Sequence, residues 1–128
     1  VSIVVDSSAL LAVVLVEADA EEIHKKMIEA DQLWISPINL WEVHVRAEVI
    51  LGESGRQIVA KIIEEMGIEV ELVGARDAML AFEASKRFGV RPARLNLGDC
   101  FAYALAKSKD VPLLFKGNDF AATDVKIA

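Results

Sequence analysis

The apolar residues of this chain fall into short continuous runs and stripes at helical spacing, and the two kinds of pattern take turns along the sequence. Ser2–Val5 is a run that ends at Asp6. Its unbroken Ile-Val-Val reads as a strand buried on both faces, hence a central strand of a parallel sheet. Ala9–Glu17 reads as a helix that Asp6 or Ser7 can cap. Asp19–Asp31 reads as a more polar helix, with Ala20, Ile23, Met27 and Ile28 as a narrow apolar stripe and His24 on its solvated face. Leu33–Ile35 is a second short strand. Ser36-Pro37 is a helix start, a capping hydroxyl followed by proline in the first helical position. The helix it opens runs to Leu51, with Ile38, Trp41, Val45 and Val49 as its apolar stripe, and Gly52 ends it. Ser54 is predicted to cap a fourth helix whose Ile58, Ile62 and Met66 pack inward and which Gly67 stops.

Ile68–Leu72 alternates, with Ile68, Val70 and Leu72 on one face, as an edge or one-sided strand does. Ala75–Phe88 is a fifth helix ended by Gly89. The stretch Leu95–Lys107, LNLGDCFAYALAK, opens with Asn96 as an N-cap and puts Leu97, Phe101, Ala104 and Leu105 on one buried face. Val111–Phe115 is a last buried strand, Lys116-Gly117-Asn118-Asp119 is turn chemistry, and Thr123 or Asp124 can cap a final turn.

Strands alternating with helices imply an α/β fold with a mostly parallel sheet. Such sheets bind ligands beyond the carboxyl ends of their strands, where Asp6 and Asp119 emerge. Asp99 lies in the first turn of its helix and Glu42 beside an apolar stripe. Each has a purely structural alternative. Asp6 can be a cap and Asp119 a turn residue. Glu42 can pair with Arg46 one turn on, for a few tenths of a kcal/mol. Asp99 can answer the helix dipole, for roughly 0.3–1 kcal/mol. Taken together, four converging carboxylates repel one another unless a cation joins them. Oxygen-only ligation selects hard ions such as Mg²⁺ or Mn²⁺, which activate water and polarise phosphodiesters.

Composition narrows the classes further. At 128 residues the chain suits one domain, residues 1–128, and although 54% of it is hydrophobic, no run approaches the roughly 18 residues of a membrane span. The longest, Ala9–Val16, has no basic segment before it, which argues against a signal peptide. One cysteine, Cys100, excludes an internal disulfide and fits a reducing cytoplasm. With only His24 and His44 beside it, zinc is unsupported. The net charge of −6 argues against a broad DNA-coating surface, but not against a nuclease that counts its metal-binding acids in that total. Lys86, Arg87, Arg91 and Arg94 form the only dense basic patch. They directly precede the Asp99 helix, so Arg91 and Arg94 are candidates to meet phosphates or a partner protein.

VVDSSAL, the helical Glu42, LNLGDCFAYALAK and LLFKGNDFAATD together resemble the PIN-domain ribonucleases, in particular the VapC-type toxins of toxin–antitoxin pairs. The resemblance covers essentially the whole chain. It implies a PIN-like α/β/α sandwich and Mg²⁺-dependent RNA cleavage in which Mn²⁺ can substitute. It implies an acidic catalytic and metal site at Asp6, Glu42, Asp99 and Asp119. Ser8 and Asn96 match accessory polar positions, and Asp124 matches a fifth acid whose role varies. A VapB-type antitoxin and a homodimer are the implied protein partners. Two other classes compete. An aspartyl-phosphate enzyme or receiver also has an Asp after its first strand, but Ser8 stands where a phosphotransfer hydrolase has its second Asp. Ser7 stands where a receiver has paired acids, and only Lys116 imitates the receiver lysine. A binding module would keep the acids to grip a basic partner.

Overall fold

Strand β1, Ile3–Val5, is the element on which both layers of the core are built. The structure, a computed structural model, describes residues 1–128. Side chains of a strand point alternately to its two faces. Accordingly Ile3 and Val5 pack into one apolar cluster and Val4 into a second, and all three are buried. The chain continues through α1 (Ser7–Val14), α2 (Ala20–Glu29), β2 (Leu33–Ile35), α3 (Pro37–Leu51), α4 (Ser54–Met66), β3 (Ile68–Val70), α5 (Ala75–Phe88), α6 (Leu97–Lys109) and β4 (Leu113–Leu114). The strands stand in the order β3-β2-β1-β4 and every pairing is parallel. The core contributions of α1 to α4 lie in the cluster on one face of the sheet, and those of α5 and α6 in the cluster on the other. This is the α/β/α sandwich that the alternation of runs and stripes requires. The unbroken run is a central strand and the alternating one, β3, an edge. No helix is long and apolar enough to cross a membrane.

Because the strands are parallel, their carboxyl ends share one edge. Asp6 follows β1 there and Ser36 follows β2. Lys116 begins the loop beyond β4, which pairs with β1 on the side away from β2. The order thus reverses beside β1, which opens a crevice at the carboxyl ends of β1 and β4. Ser36 caps α3, its Oγ accepting from the Asn39 backbone N–H at 3.1 Å. Gly67 closes α4 in the left-handed conformation (φ 64°) that glycine adopts without strain.

Several helical faces differ from expectation. On α3 the buried positions are Asn39, Val43 and Ala47, while Trp41, Val45 and Val49 are exposed. The reason lies in the neighbouring helix. A Cβ on Gly55 of α4 would stand 2.5 Å from the Ala47 carbonyl oxygen. The two backbones meet at a seam of small residues that Trp41 or Val49 could not enter. On α4, correspondingly, the core takes Gly55 and Val59, with Ile62 and Met66 at its margin and Ile58 more exposed. Ser54 does not cap α4. It is the first helical residue, and its Oγ donates to the Leu51 carbonyl at 2.9 Å. Helix α1 begins at Ser7, because Asp6 caps it, and ends at Val14. On α2 only Ile23 and Met27 are buried, with Ile28 outside. Leu97 is exposed, whereas Gly98 and Cys100 to α6's Ala106 are mostly buried around the helix. Val70, the last residue of β3, and Leu72 beyond it also face solvent.

The Gly55–Ala47 seam makes a test of the α3–α4 register. Gly55→Ala is expected to lower stability by about 1–3 kcal/mol, as overpacking does, despite the helix propensity alanine brings. Urea unfolding measures it, and an unchanged or raised midpoint would mean that the two backbones do not meet there.

Candidate active site

Asp6 is built into the site by its place in the chain. Strand β1 delivers it, buried, to the sheet edge, and its backbone N–H donates to the Leu114 carbonyl at 2.9 Å. Its Oδ2 accepts from the Ser8 backbone N–H at 3.0 Å and from Ser8 Oγ at 2.6 Å. Ser8 Oγ in turn accepts from the Lys116 backbone N–H at 3.0 Å, which ties the loop after β4 to Asp6. The other carboxyl oxygen, Oδ1, is buried and meets no partner. Burial pushes the Asp6 carboxyl up to about 7; the Ser8 hydrogen bonds act against this, and the charges of Asp99 and Glu42 add to it.

Asp99 is placed by its own helix start. It forms a capping box with Asn96. Asn96 Oδ1 accepts from the Asp99 backbone N–H at 2.9 Å, and Asp99 Oδ2 accepts from the Asn96 backbone N–H at 3.1 Å. It is also half-buried and within the field of other acids. Burial pushes it up to about 6, the Asn96 hydrogen bond opposes this, and Asp119 and Glu42 add to the rise.

Glu42 does not pair with Arg46. Its Oε1 accepts from Ser7 Oγ at 2.8 Å and from Asn39 Nδ2 at 3.2 Å. The carboxylate rests against Gly98, where a Cβ would lie 2.0 Å from Oε1. Asp119, in the loop after β4, is exposed and makes no hydrogen bond, and it acts on Asp99 through its charge. A cleft of about 410 Å³ between the starts of α3 and α6 has Glu42, Asn96 and Gly98 in its wall. A larger one, about 900 Å³, runs along α2 and contains none of the four acids.

The structure therefore brings Asp6, Glu42, Asp99 and Asp119 into one electrostatic neighbourhood, with Ser8 and Asn96 holding two of them. No three of the carboxylates close round a common point. Their donors are all oxygen, the chemistry of a hard divalent cation, and such a cation needs only one or two carboxylates because it keeps several waters. A buried carboxyl oxygen with no donor of its own, Asp6 Oδ1, is the atom in most need of one. Asp124 stands apart. It accepts from Tyr103 Oη at 2.5 Å and pairs with Lys107 at 3.3 Å and Arg87 at 3.7 Å. Arg91 and Arg94 are exposed and without ion pairs, whereas Lys86 lies over the Phe82 ring and Arg87 over Phe88. Lys116 Nζ is held by Glu17 at 3.1 Å and Asp19 at 3.3 Å, not by Asp6, which removes the one likeness to a receiver.

Three residues of the site were not legible as such. Ser7, Asn39 and Gly98 carry no charge; Ser7 read only as a possible cap, and nothing in the apolar pattern singled out Asn39 or Gly98. The usable signal was spacing. Asn39 lies three positions before Glu42, on the same side of a helix.

The PIN-domain family model matches residues 3–126. Ribonuclease VapC42 of Mycobacterium tuberculosis is 34% identical over 128 aligned residues, covering 98% of each chain. Ribonuclease VapC30 of the same organism is 37% identical over 125 residues, covering 95% of each. Among solved structures, M. tuberculosis VapC20, described as a sarcin-ricin loop cleaving toxin, superposes with a TM-score of 0.83 at 20% identity, over 98% of each chain. VapBC2 from Rickettsia felis, bound to a promoter DNA fragment, superposes with a TM-score of 0.79 at 12% identity, over 99% of this chain and 96% of that one.

Raised carboxyl pKa values have a consequence for stability. In the folded state Asp6 and Asp99 keep their protons to about 7 and about 6, whereas in the unfolded chain an aspartate loses its proton near 3.9. Between these limits the folded state binds more protons, so stability falls as pH rises through the window. Without divalent cation, Tm is expected to be higher at about pH 5 than at about pH 8. Asp99→Asn, which can keep the capping box, is expected to flatten that slope and to melt at or above the wild type at the higher pH. Scanning calorimetry in EDTA decides it; equal slopes in the two proteins would mean that the Asp99 carboxylate is solvated.

Proposed function

We propose that this chain, which belongs to the PIN-domain family, is a divalent-metal-dependent endoribonuclease and the toxin of a VapBC-type toxin–antitoxin pair. The observation that carries the reading is the partnerless, buried Oδ1 of Asp6 within the field of Asp99 and Glu42. Mg²⁺ is the cation of this reading, and Mn²⁺ substitutes for it. When bound, such an ion lowers the pKa of a water and stabilises charge on phosphate oxygens. The chain's own residues supply the rest. Asp6 offers Oδ1, while Ser8 occupies Oδ2 and fixes the carboxyl plane. Asp99 offers the oxygen that its capping box leaves free. Glu42 and Asp119 flank them and orient water or hold a second ion. Asn96 and Ser8 are positioning groups, and Asp124 steadies α6 through Tyr103 and Lys107.

Partners follow from the same surface. The pocket's negative charge suits a basic antitoxin segment, and toxin–antitoxin proteins are among the structures this fold resembles. Trp41, Val45 and Val49 form an apolar ridge outside the core, the kind of surface that protein partners cover; we assign it to a homodimer. Arg91 and Arg94, free of ion pairs, are assigned to phosphates beside the cut. The setting is the cytoplasm, where the buried thiol of Cys100 stays reduced.

The purified chain, freed of any partner, is expected to cut RNA with Mg²⁺ or Mn²⁺ and to stop with EDTA. Asp6→Asn and Asp99→Asn should each lower the single-turnover rate by roughly 10²–10³-fold, the size of loss seen when a charge-stabilising group is removed. Cleavage that survives chelation, or an Asp99→Asn protein as fast as wild type, would sink the mechanism, and no cleavage with either metal would leave a binding module.

Neutralising Arg91 and Arg94 together is expected to weaken RNA binding. It should also reduce the slope of log K against log salt by about 0.7 for each single-strand phosphate that is no longer neutralised. An unchanged slope together with failure to bind the antitoxin would assign the patch to the protein partner.

A further inference from the structure

Asn39 occupies a core position of α3, in line with Val43 and Ala47, and is fully buried. An apolar residue would serve packing there, and a buried amide is costly unless each of its groups is met. Every group is met, from three different elements. Oδ1 accepts from Ser36 Oγ at the end of β2. Nδ2 lies 3.0 Å from the Gly98 carbonyl of α6, 3.0 Å from Ser7 Oγ of α1 and 3.2 Å from Glu42 Oε1. Ser7 Oγ has one hydrogen. With the Asn39 amide on its acceptor side, that hydrogen is directed to Glu42 Oε1 at 2.8 Å, nearer than the alternative, the Asn39 carbonyl at 3.2 Å. On the far side the carboxylate lies on bare Gly98 backbone.

We propose that Asn39 is a positioning residue of the acid site. Its carboxamide, locked by Ser36, seats the Glu42 carboxylate against Gly98, one residue before Asp99, and orients Ser7 as the second donor to it. The inference rests on the reading of Glu42 as a working acid. An amide held at both ends cannot rotate, so it converts a glutamate with three side-chain torsions into a fixed group. Residues that orient such acids from behind typically change activity or metal affinity by 10–100-fold when removed.

The test is a double-mutant cycle on the full chain, read by single-turnover RNA cleavage, by RNA affinity in EDTA, and by the rise in Tm that Mn²⁺ produces. Asn39→Ala is expected to slow cleavage by roughly 10–100-fold with RNA affinity unchanged, and Ser7→Ala to act in the same direction. Neither should slow the Glu42→Gln protein further by more than about twofold, since residues acting through one group are not additive. The Mn²⁺-induced rise in Tm should be reduced to the same extent in Asn39→Ala, Glu42→Gln and the double variant. Should Asn39→Ala fail to fold, Ser7→Ala, which removes a single hydroxyl, carries the same cycle. Losses that multiply with an impaired Glu42→Gln protein, or variants that cleave as wild type does, would overturn the positioning role. A Glu42→Gln protein that cleaves at the wild-type rate would instead overturn the role given to Glu42 itself.

Discussion

The Glu42 carboxylate lies directly on the backbone of Gly98, with no side chain between them. The site depends on that contact. Helix α3 belongs to the layer on one face of the sheet and α6 to the layer on the other, so they can meet only past the strand ends, and only if one backbone is bare. Gly98 supplies the bare backbone, and the hydrogen bond from Asn39 to its carbonyl holds the two helices at that separation. Any Cβ at position 98 would displace the carboxylate or the helix. Asp99, one residue on, is thereby drawn towards Glu42, and the crowding of negative charge follows from packing geometry.

The other half of the site is held in a different way. Strand β1 is apolar throughout and buried on both faces, so it is rigid up to its last residue, and Asp6 inherits that rigidity. Ser8 joins this fixed acid to the loop after β4 with a relay of two hydrogen bonds, from the Lys116 N–H to Ser8 Oγ and from Ser8 Oγ to Asp6. Lys116 anchors the same loop to the α1–α2 connection through Glu17 and Asp19. Asp119, three residues further, is the least constrained of the four acids. It is exposed, without a hydrogen bond, and carried by a loop held near its first residue.

What could be read from the sequence was what depends on local chemistry. The capping residues Ser36 and Asn96, the stop at Gly67, and the spans of α3 and α5 follow from hydrogen-bonding and backbone preferences that act within a few residues. The burial of β1 and the edge position of β3 follow from the period of their side chains. The inward face of α3 could not be read in this way. Ile38-Trp41-Val45-Val49 and Asn39-Val43-Ala47 have comparable helical spacing. The choice between them is made by Gly55, which lies on a different helix and needs a small residue opposite. Hydrophobicity favoured the larger residues, and sterics chose the smaller. For the acids, order along the chain indicated Asp6, Glu42, Asp99 and Asp119, but not which of them is dry. It is Asp6, through its strand, that is buried, and Asp119 that is wet. Asp124, which matches a fifth acid whose role varies, accepts from Tyr103 and pairs with Lys107 and Arg87, contacts that lie far along the chain and that no local pattern announces.

The pairing of β1 with β4 has a consequence for synthesis. The bond between the Lys116 N–H and Ser8 joins residues 108 positions apart, and Leu113 and Leu114 complete the side of β1 that nothing earlier in the chain can cover. Contacts of such long range form late, because the loop they close must first exist. A chain emerging from the ribosome, folding from its amino end, can therefore assemble the α1–α4 layer while Asp6 still faces water and Asp99 and Asp119 have yet to be made. The acids come together only when translation has passed β4, so until then the centre does not exist on a chain still being made by an RNA machine.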